Sequence, residues 1–354
     1  MSPASPSGTI EFLMTSVPSV PRSQPFRSVE FPALRLPDRN REAWSRAAVA
    51  LTFPNYHDLN AWNSFREASV NLALRHLPEH FAEALEEFFS PVGIPALMFE
   101  NLPVDPKLPP APTDGARPRN KQAVSEAVIC GLVGMHGEIL SYLNEKSGAP
   151  IQEVAPIQGM ERIQSNAGRV QFGFHSDNAF LPRRFRQNGI LLYGLSNQDA
   201  ATLVLTAGQI IEAAPADLAA SLAKPIFRHA CPASFSLQES AALSAPCPIL
   251  WRDELGLARV SAASSSIEPL TPEASQALNR FRALLMSLEP ARVVVRPGTA
   301  LLFKDDRVLH GRDSFTGSRW LQRAYFTDSL DPMRKATRSH PEAFAFDASA
   351  LLCA

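Results

Sequence analysis

Apolar positions along the chain fall into two textures that change near residue 150. Before that point they recur at helical spacing. Residues 65–90 carry Leu72, Leu74, Phe81, Leu85 and Phe88, which predicts a helix. Lys121–Glu145 shows the clearest period, with Val124, Val128, Leu132, Met135, Ile139 and Leu143 three or four residues apart. His136 then reads as an ordinary residue of that helix. Ile94–Glu100 is a short apolar run that predicts a buried strand, ended by Asn101-Leu102-Pro103. A Pro-rich loop follows over 106–120.

After residue 150 short β-rich segments alternate with turn signals. Ile190–Leu195, Ala201–Leu205, Val293–Val295, Ala300–Phe303 and Arg323–Thr327 are the predicted strands, and Gln209–Leu222 and Thr271–Leu288 the predicted helices. Many short strands with inserted helices favour a jelly-roll core. The expected class is α+β, a helical N-terminal layer packed on that core. Residues 1–26 are rich in Ser and Pro and read as a disordered tail, which leaves 27–354 as a single domain.

Composition narrows the function. A formal net charge of -1 gives no pull toward nucleic acid or an anionic membrane, and Arg183, Arg184 and Arg186 form only a small basic cluster. No apolar run reaches the length of a membrane span. Cys130, Cys231, Cys247 and Cys353 are too scattered for a zinc ribbon or a disulfide framework. A reducing, cytoplasmic setting is expected.

The chemistry centres on Phe172-Gly173-Phe174-His175-Ser176-Asp177-Asn178-Ala179-Phe180. In extended chain, residues two apart point to the same side, so His175 and Asp177 can face one point. They supply two members of a two-histidine, one-carboxylate set, which suits ferrous iron. His310, in a segment that runs from Pro297-Gly298 to His310-Gly311-Arg312, is the third candidate. Each piece alone has a plainer reading, a surface pair for His175/Asp177 and a buried hairpin histidine for His310. Lys304, Asp305 and Asp306 read as a solvated turn. Arg323 lies in an apolar, aromatic segment and needs a carboxylate if buried. An internal Asp or Glu would serve, and so would a bound acid.

Together these segments resemble the clavaminate synthase-like branch of Fe(II)/2-oxoglutarate-dependent oxygenases. The resemblance rests on His175-Ser176-Asp177-Asn178-Ala179-Phe180, Pro297-Gly298, His310-Gly311-Arg312, Trp320-Leu321-Gln322-Arg323 and Ala96–Asp105, in the right order over roughly 90–330. It implies a double-stranded β-helix, Fe(II), 2-oxoglutarate and O2, with His175, Asp177 and His310 as metal ligands. It also implies that Arg323 pairs with the distal carboxylate of 2-oxoglutarate, that Thr202 contacts this co-substrate and that Arg319 adds charge nearby. Gln164 and Ser165 match a pocket-lining segment, and Asp253 falls in a region of substrate-facing loops. Substrates of the branch are largely amino acids, free, in peptides or bound to a carrier protein, often in natural-product pathways. Hydroxylation is expected, with desaturation or cyclisation as alternatives, since halogenating relatives lack the carboxylate that Asp177 supplies.

Two departures stand out. The branch often carries Glu where this chain has Asp177. Amino-acid hydroxylases of the branch often place a further arginine four residues past the co-substrate arginine, to grip the substrate carboxylate. Counted from Arg323, that position is Thr327. Two other classes fit individual segments, a non-catalytic β-barrel binding module and a cupin-type metal enzyme. Neither explains Arg323.

Overall fold

The computed structural model describes residues 31–354 apart from 233, 236, 238–241 and 264–265. The proposed tail at 1–26 lies outside the described residues. The fold is mixed α/β, with helices packed on two antiparallel-rich sheets. The larger sheet has eight strands in the order Ala33–Arg35, Ala96–Glu100, Ala300–Lys304, Gly189–Asn197, Arg319–Thr327, Glu138–Tyr142 and Ala345–Phe346, with Gln152–Val154 also paired to Arg319–Thr327. The smaller sheet runs Ala291–Val294, Ala201–Thr206, Val308–Arg312 and Phe172–His175.

The helices differ from the sequence expectation in instructive ways. The helix expected over 65–90 is two, Leu59–His76 and Glu79–Phe89. Pro78 forces the break: the residue before a proline is driven out of the α region, and Leu77 is extended, with ψ of 131°. The region 121–145 is not one helix either. Val124–Gly134 is helical, the chain turns through 135–137, and Glu138–Tyr142 is a strand. His136 therefore sits in the turn. Periodicity misled because this helix is buried on nearly every side, so it carries no polar face to mark where it ends. Gly137 makes the turn possible, since a Cβ there would meet the Phe89 ring at 2.9 Å and the Thr327 carbonyl at 3.1 Å. Pro215 splits the next expected helix into Ala207–Ala213 and Ala216–Leu222.

Two apolar clusters hold the layers together. Trp44, Trp62, Phe81, Phe88 and Val128 from the N-terminal helices pack on Phe99, Leu302, Tyr193 and Phe326 of the larger sheet. Leu205 and Leu309 of the smaller sheet pack with Leu218, Leu278 and Phe281 from the later helices. Burying a side chain of this size contributes roughly 1.5–3 kcal/mol, so both sheet backs are firmly anchored. The four cysteines are free. Among the described residues no helix is long and apolar enough to cross a membrane.

Candidate active site

Strand pairing alone puts three of the expected residues on one face, together with Arg312. His310 pairs directly with His175 on one side and with Val204 on the other, and Arg312 pairs with Thr202. Directly opposed residues share a sheet face. His175, His310, Arg312 and Thr202 therefore line the same surface of the smaller sheet. Thr202 is buried, one same-face step from the residue opposite His310.

The chain then turns sharply. Asp177 leaves the strand end, and Asn178 takes the left-handed conformation with φ of 56°. This brings the Asp177 Oδ1 atom to 3.3 Å from Nε2 of His175 and 3.8 Å from Nε2 of His310. One ligand atom from each residue lies within 4.8 Å of the others, and all three side chains are at most 10% exposed. The donor set fits a divalent transition metal. The Nδ1–H of His175 donates to the Gly173 carbonyl at 2.8 Å, which frees Nε2 as the ligating atom. Burial, and then the neighbouring His175, press the His310 imidazole down to about 3, so it is neutral. Burial opposes the charge on Asp177, but Arg323 and the two histidines outweigh it and hold the carboxyl well below the usual range. Two imidazoles and one carboxylate on one side leave the opposite face open to exogenous ligands.

Arg319–Thr327 supplies the facing wall. Arg319 and Arg323 are four residues apart and point to the same side of the sheet, yet their surroundings are opposite. Arg323 Nη1 donates to Asp177 Oδ2 at 2.7 Å, and Nη2 donates to Glu145 Oε1 at 2.7 Å and also to Gln152 Oε1. Tyr325 donates to the same Asp177 Oδ2 at 3.0 Å. One oxygen of Asp177 is thus held by the wall while the other faces both imidazoles. Arg319 is buried, and its Nε and Nη1 have no hydrogen-bond partner among the described residues. Its guanidinium sits 5.9 Å from the Phe315 ring centroid. Burial, and then the charge of Arg312, lower it to about 9. A buried cation without a counter-ion is costly, so this arginine is organised to receive an anion.

The remaining expected residues do not converge on this point. Gln164 is exposed. The Ser165 hydroxyl accepts from the Ala167 N–H, and its carbonyl accepts from Arg312. Asp253 closes the hairpin between Leu250–Arg252 and Ala258–Val260, accepting from the N–H groups of Leu255 and Leu257 and pairing with Arg259 at 2.7 Å. Its carboxylate is already engaged by these internal partners.

Asp305 is a correction to the expected turn. It is 4% exposed instead of solvated, because its side chain turns inward under the metal-ligand segment. Burial and the nearby Asp177 charge push its carboxyl well above the ordinary range. Glu145, Gln152, Gln187, Asp305 and Tyr325 are the site residues that sequence reasoning missed. Glu145 was absorbed into a helix that ends at Gly134, and the cluster Gly131, Gly134 and Gly137 was the available signal against that helix.

Behind the wall, side chains on the opposite face of the same strand meet a buried polar network. Gln322 Nε2 donates to Glu126 Oε1 and to Glu153 Oε1, each at 2.9 Å, and Trp320 Nε1 donates to Glu153 Oε2. Lys121 pairs with Glu126 at 2.7 Å and Asp105 at 2.9 Å. Burial raises Glu153 to about 7.

This fold and this donor set define a non-haem mononuclear iron oxygenase. No family model matches the chain. An L-asparagine oxygenase of Streptomyces coelicolor is 31% identical over 249 residues, 66% of this chain and 72% of that protein. A solved asparagine oxygenase in complex with Fe(II), 2S,3S-3-hydroxyasparagine and succinate superposes with a TM-score of 0.78 at 25% identity, over 89% of this chain and 99% of that one. The non-haem iron oxygenase OrfP, solved with Fe, succinate and (3S)-hydroxy-L-Arg, shares the fold with a TM-score of 0.74 at 20% identity, over 89% and 99% of the two chains. The chain belongs to the clavaminate synthase-like Fe(II)/2-oxoglutarate-dependent oxygenases.

Proposed function

We propose that this oxygenase hydroxylates a free, polar α-amino acid, with asparagine and its near analogues the first candidates. The proposal rests on one observation above the others. On the strand facing the metal ligands, one buried arginine lacks an anion among the described residues, while the arginine four residues further on already sits between carboxylates.

His175, Asp177 and His310 hold Fe(II). Arg319 takes the distal carboxylate of 2-oxoglutarate, with Thr202 on the opposite sheet lining the same space. This reverses the roles expected from the sequence, where Arg323 was the co-substrate residue. Arg323 then stands four residues past the co-substrate arginine, the spacing that amino-acid hydroxylases of the branch use for the substrate carboxylate. On this reading the departure counted at Thr327 disappears.

Arg323 and Glu145 are an adjacent cation and anion, the pair a zwitterionic amino-acid head requires. Gln152 Nε2 donates to Glu145 Oε2 at 3.0 Å and keeps that carboxylate aimed. When bound, iron with 2-oxoglutarate and O2 supplies the oxidising power that breaks a substrate C–H bond and leaves succinate and CO2. The residues described here orient the reactants and keep bulk water away. A carrier-bound substrate has its carboxylate esterified and would forfeit the pairing with Arg323, which favours the free form.

The two sheets, joined across the ligand face, support reading the core as a double-stranded β-helix within a single oxygenase unit from residue 27 onward. Free cysteines and the absence of a basic surface bias support a cytoplasmic enzyme that acts on small molecules.

The test is succinate formation from 2-oxoglutarate with Fe(II) and O2 across a panel of free amino acids, with mass spectrometry of the products. One or a few polar amino acids should stimulate succinate release and gain one oxygen atom. Stimulation only by carrier-bound amino acids, or by none with an intact carboxylate, would defeat the substrate assignment.

A further inference from the structure

The two histidines of the metal site are not supported alike. The Nδ1–H of His175 has the Gly173 carbonyl as acceptor. Among the described residues the Nδ1 of His310 has no hydrogen-bond partner, and neither does Oδ1 of the buried Asp305, yet the two atoms lie 3.7 Å apart. A movement of less than 1 Å would bring them within hydrogen-bond distance. The other oxygen of Asp305 is already engaged. Its Oδ2 accepts from the backbone N–H of Asp177 at 2.9 Å and from Gln187 Nε2 at 2.6 Å.

Gln187 extends the clamp. The same Nε2 donates to the Asp177 carbonyl at 3.0 Å, and its Oε1 accepts from Asn178 Nδ2 at 2.8 Å and from the Tyr142 hydroxyl at 3.4 Å. Asn178 is the residue with positive φ immediately after the carboxylate ligand. Such a conformation persists only where the surroundings hold it. The Asp305–Gln187 pair grips this turn from both sides.

We propose that Asp305, steadied by Gln187, is a positioning residue that orients two metal ligands at once, His310 through its Nδ1–H and Asp177 through its backbone N–H. The ring of His310 is then held with Nε2 toward the metal, and the turn that presents Asp177 is held in its strained form. Carboxylates that hold a metal-bound imidazole in this way commonly set its tautomer and basicity.

The inference rests on reading His175, Asp177 and His310 as an iron site, and the experiment separates the two. Fe(II) affinity is measured anaerobically by equilibrium dialysis, and the absorption of the Co(II)-substituted protein is recorded, for wild type, Asp305→Asn, Asp305→Ala and Gln187→Met. Asparagine keeps the shape of Asp305 but offers one oxygen, not two. If that oxygen faces Asp177 and Gln187, the amide N–H₂ faces His310 and favours the tautomer that cannot ligate. If the amide flips, the turn at Asp177 loses its acceptor.

Asp305→Asn and Asp305→Ala should therefore weaken Fe(II) binding roughly 10- to 100-fold and change the Co(II) absorption spectrum. Gln187→Met should weaken binding less. A purely structural role for Asp305 would lower the melting temperature of the metal-free protein and leave the affinity and spectrum of the folded protein as in wild type, and that result would overturn the inference. The isosteric Asp305→Asn decides the matter if Asp305→Ala does not fold. A wild-type chain that takes up neither Fe(II) nor Co(II) would overturn the metal site as well, whereas uptake unchanged across all four proteins would overturn only the role of Asp305.

Discussion

The ligand face of the smaller sheet and the arginine strand of the larger sheet meet where Arg323 pairs with Asp177, but they are built on different principles. The ligand face is assembled by backbone pairing: His175 and His310 are opposed in register, and only a turn is needed to add Asp177. Its groups are short side chains, each at most 10% exposed. The arginine strand is assembled by charge. Arg323 is held by Glu145, Gln152 and Asp177, while Arg319, four residues away, has no anion among the described residues. The first region is complete with a metal alone. The second leaves Arg319 Nε and Nη1 without a partner among the described residues, so on the proposed reading the contrast separates residues that build the centre from residues that select what enters.

The comparison is broken most severely from the ligand side. His310→Ala removes a ligand without removing core volume, so turnover and stoichiometric Fe(II) binding should be lost while the far-ultraviolet circular dichroism is retained. Near wild-type succinate production by this variant would refute the ligand assignment.

On the arginine side the effects should be graded and separable. Arg319→Lys keeps the charge and loses the planar fork. Hydrogen bonds to charged groups contribute about 1.5–3 kcal/mol, so 2-oxoglutarate affinity should fall about 10- to 100-fold. Titration of the anaerobic Fe(II) protein, followed by charge-transfer absorbance, reads this directly. Arg323→Lys should instead raise the KM for the amino acid about tenfold, the equivalent of about 1.4 kcal/mol, and leave the 2-oxoglutarate midpoint near its wild-type value. If the two variants exchanged phenotypes, the roles would revert to the order expected from the sequence.

The smallest effect on turnover comes from the network behind the strand. Glu153 is raised from the ordinary carboxylate range to about 7 by burial, so the folded chain holds its proton more tightly than the unfolded chain. That contribution is fully present below about pH 4.5 and is lost as pH rises through about 7. Glu153→Gln cannot titrate. Its stability relative to wild type should therefore rise across this window, by on the order of 3 kcal/mol at the limit, with turnover little changed. Parallel melting curves for the two proteins between pH 5 and 8 would show that Glu153 titrates normally.

What the sequence determined by itself was the local chemistry. A His-x-Asp on extended chain, a distant histidine before glycine, and arginines in an apolar strand are properties of neighbouring residues, and periodicity of two carries them straight into space. The strands at Gly189–Asn197, Ala201–Thr206 and Ala300–Lys304 were legible for the same reason. Tertiary structure alone decided the partners. Glu145 and Arg323 are 178 residues apart in the chain, and Asp177 and Asp305 are 128 apart. No local pattern distinguishes an arginine that will be paired from one that will be left bare. Burial removes water as the default partner, and the fold then dictates which charges meet. This is why the sequence could not show which of Arg319 and Arg323 would be paired internally, and why Asp305, acidic and flanked by charges, lies beneath the candidate metal ligands and not in solvent.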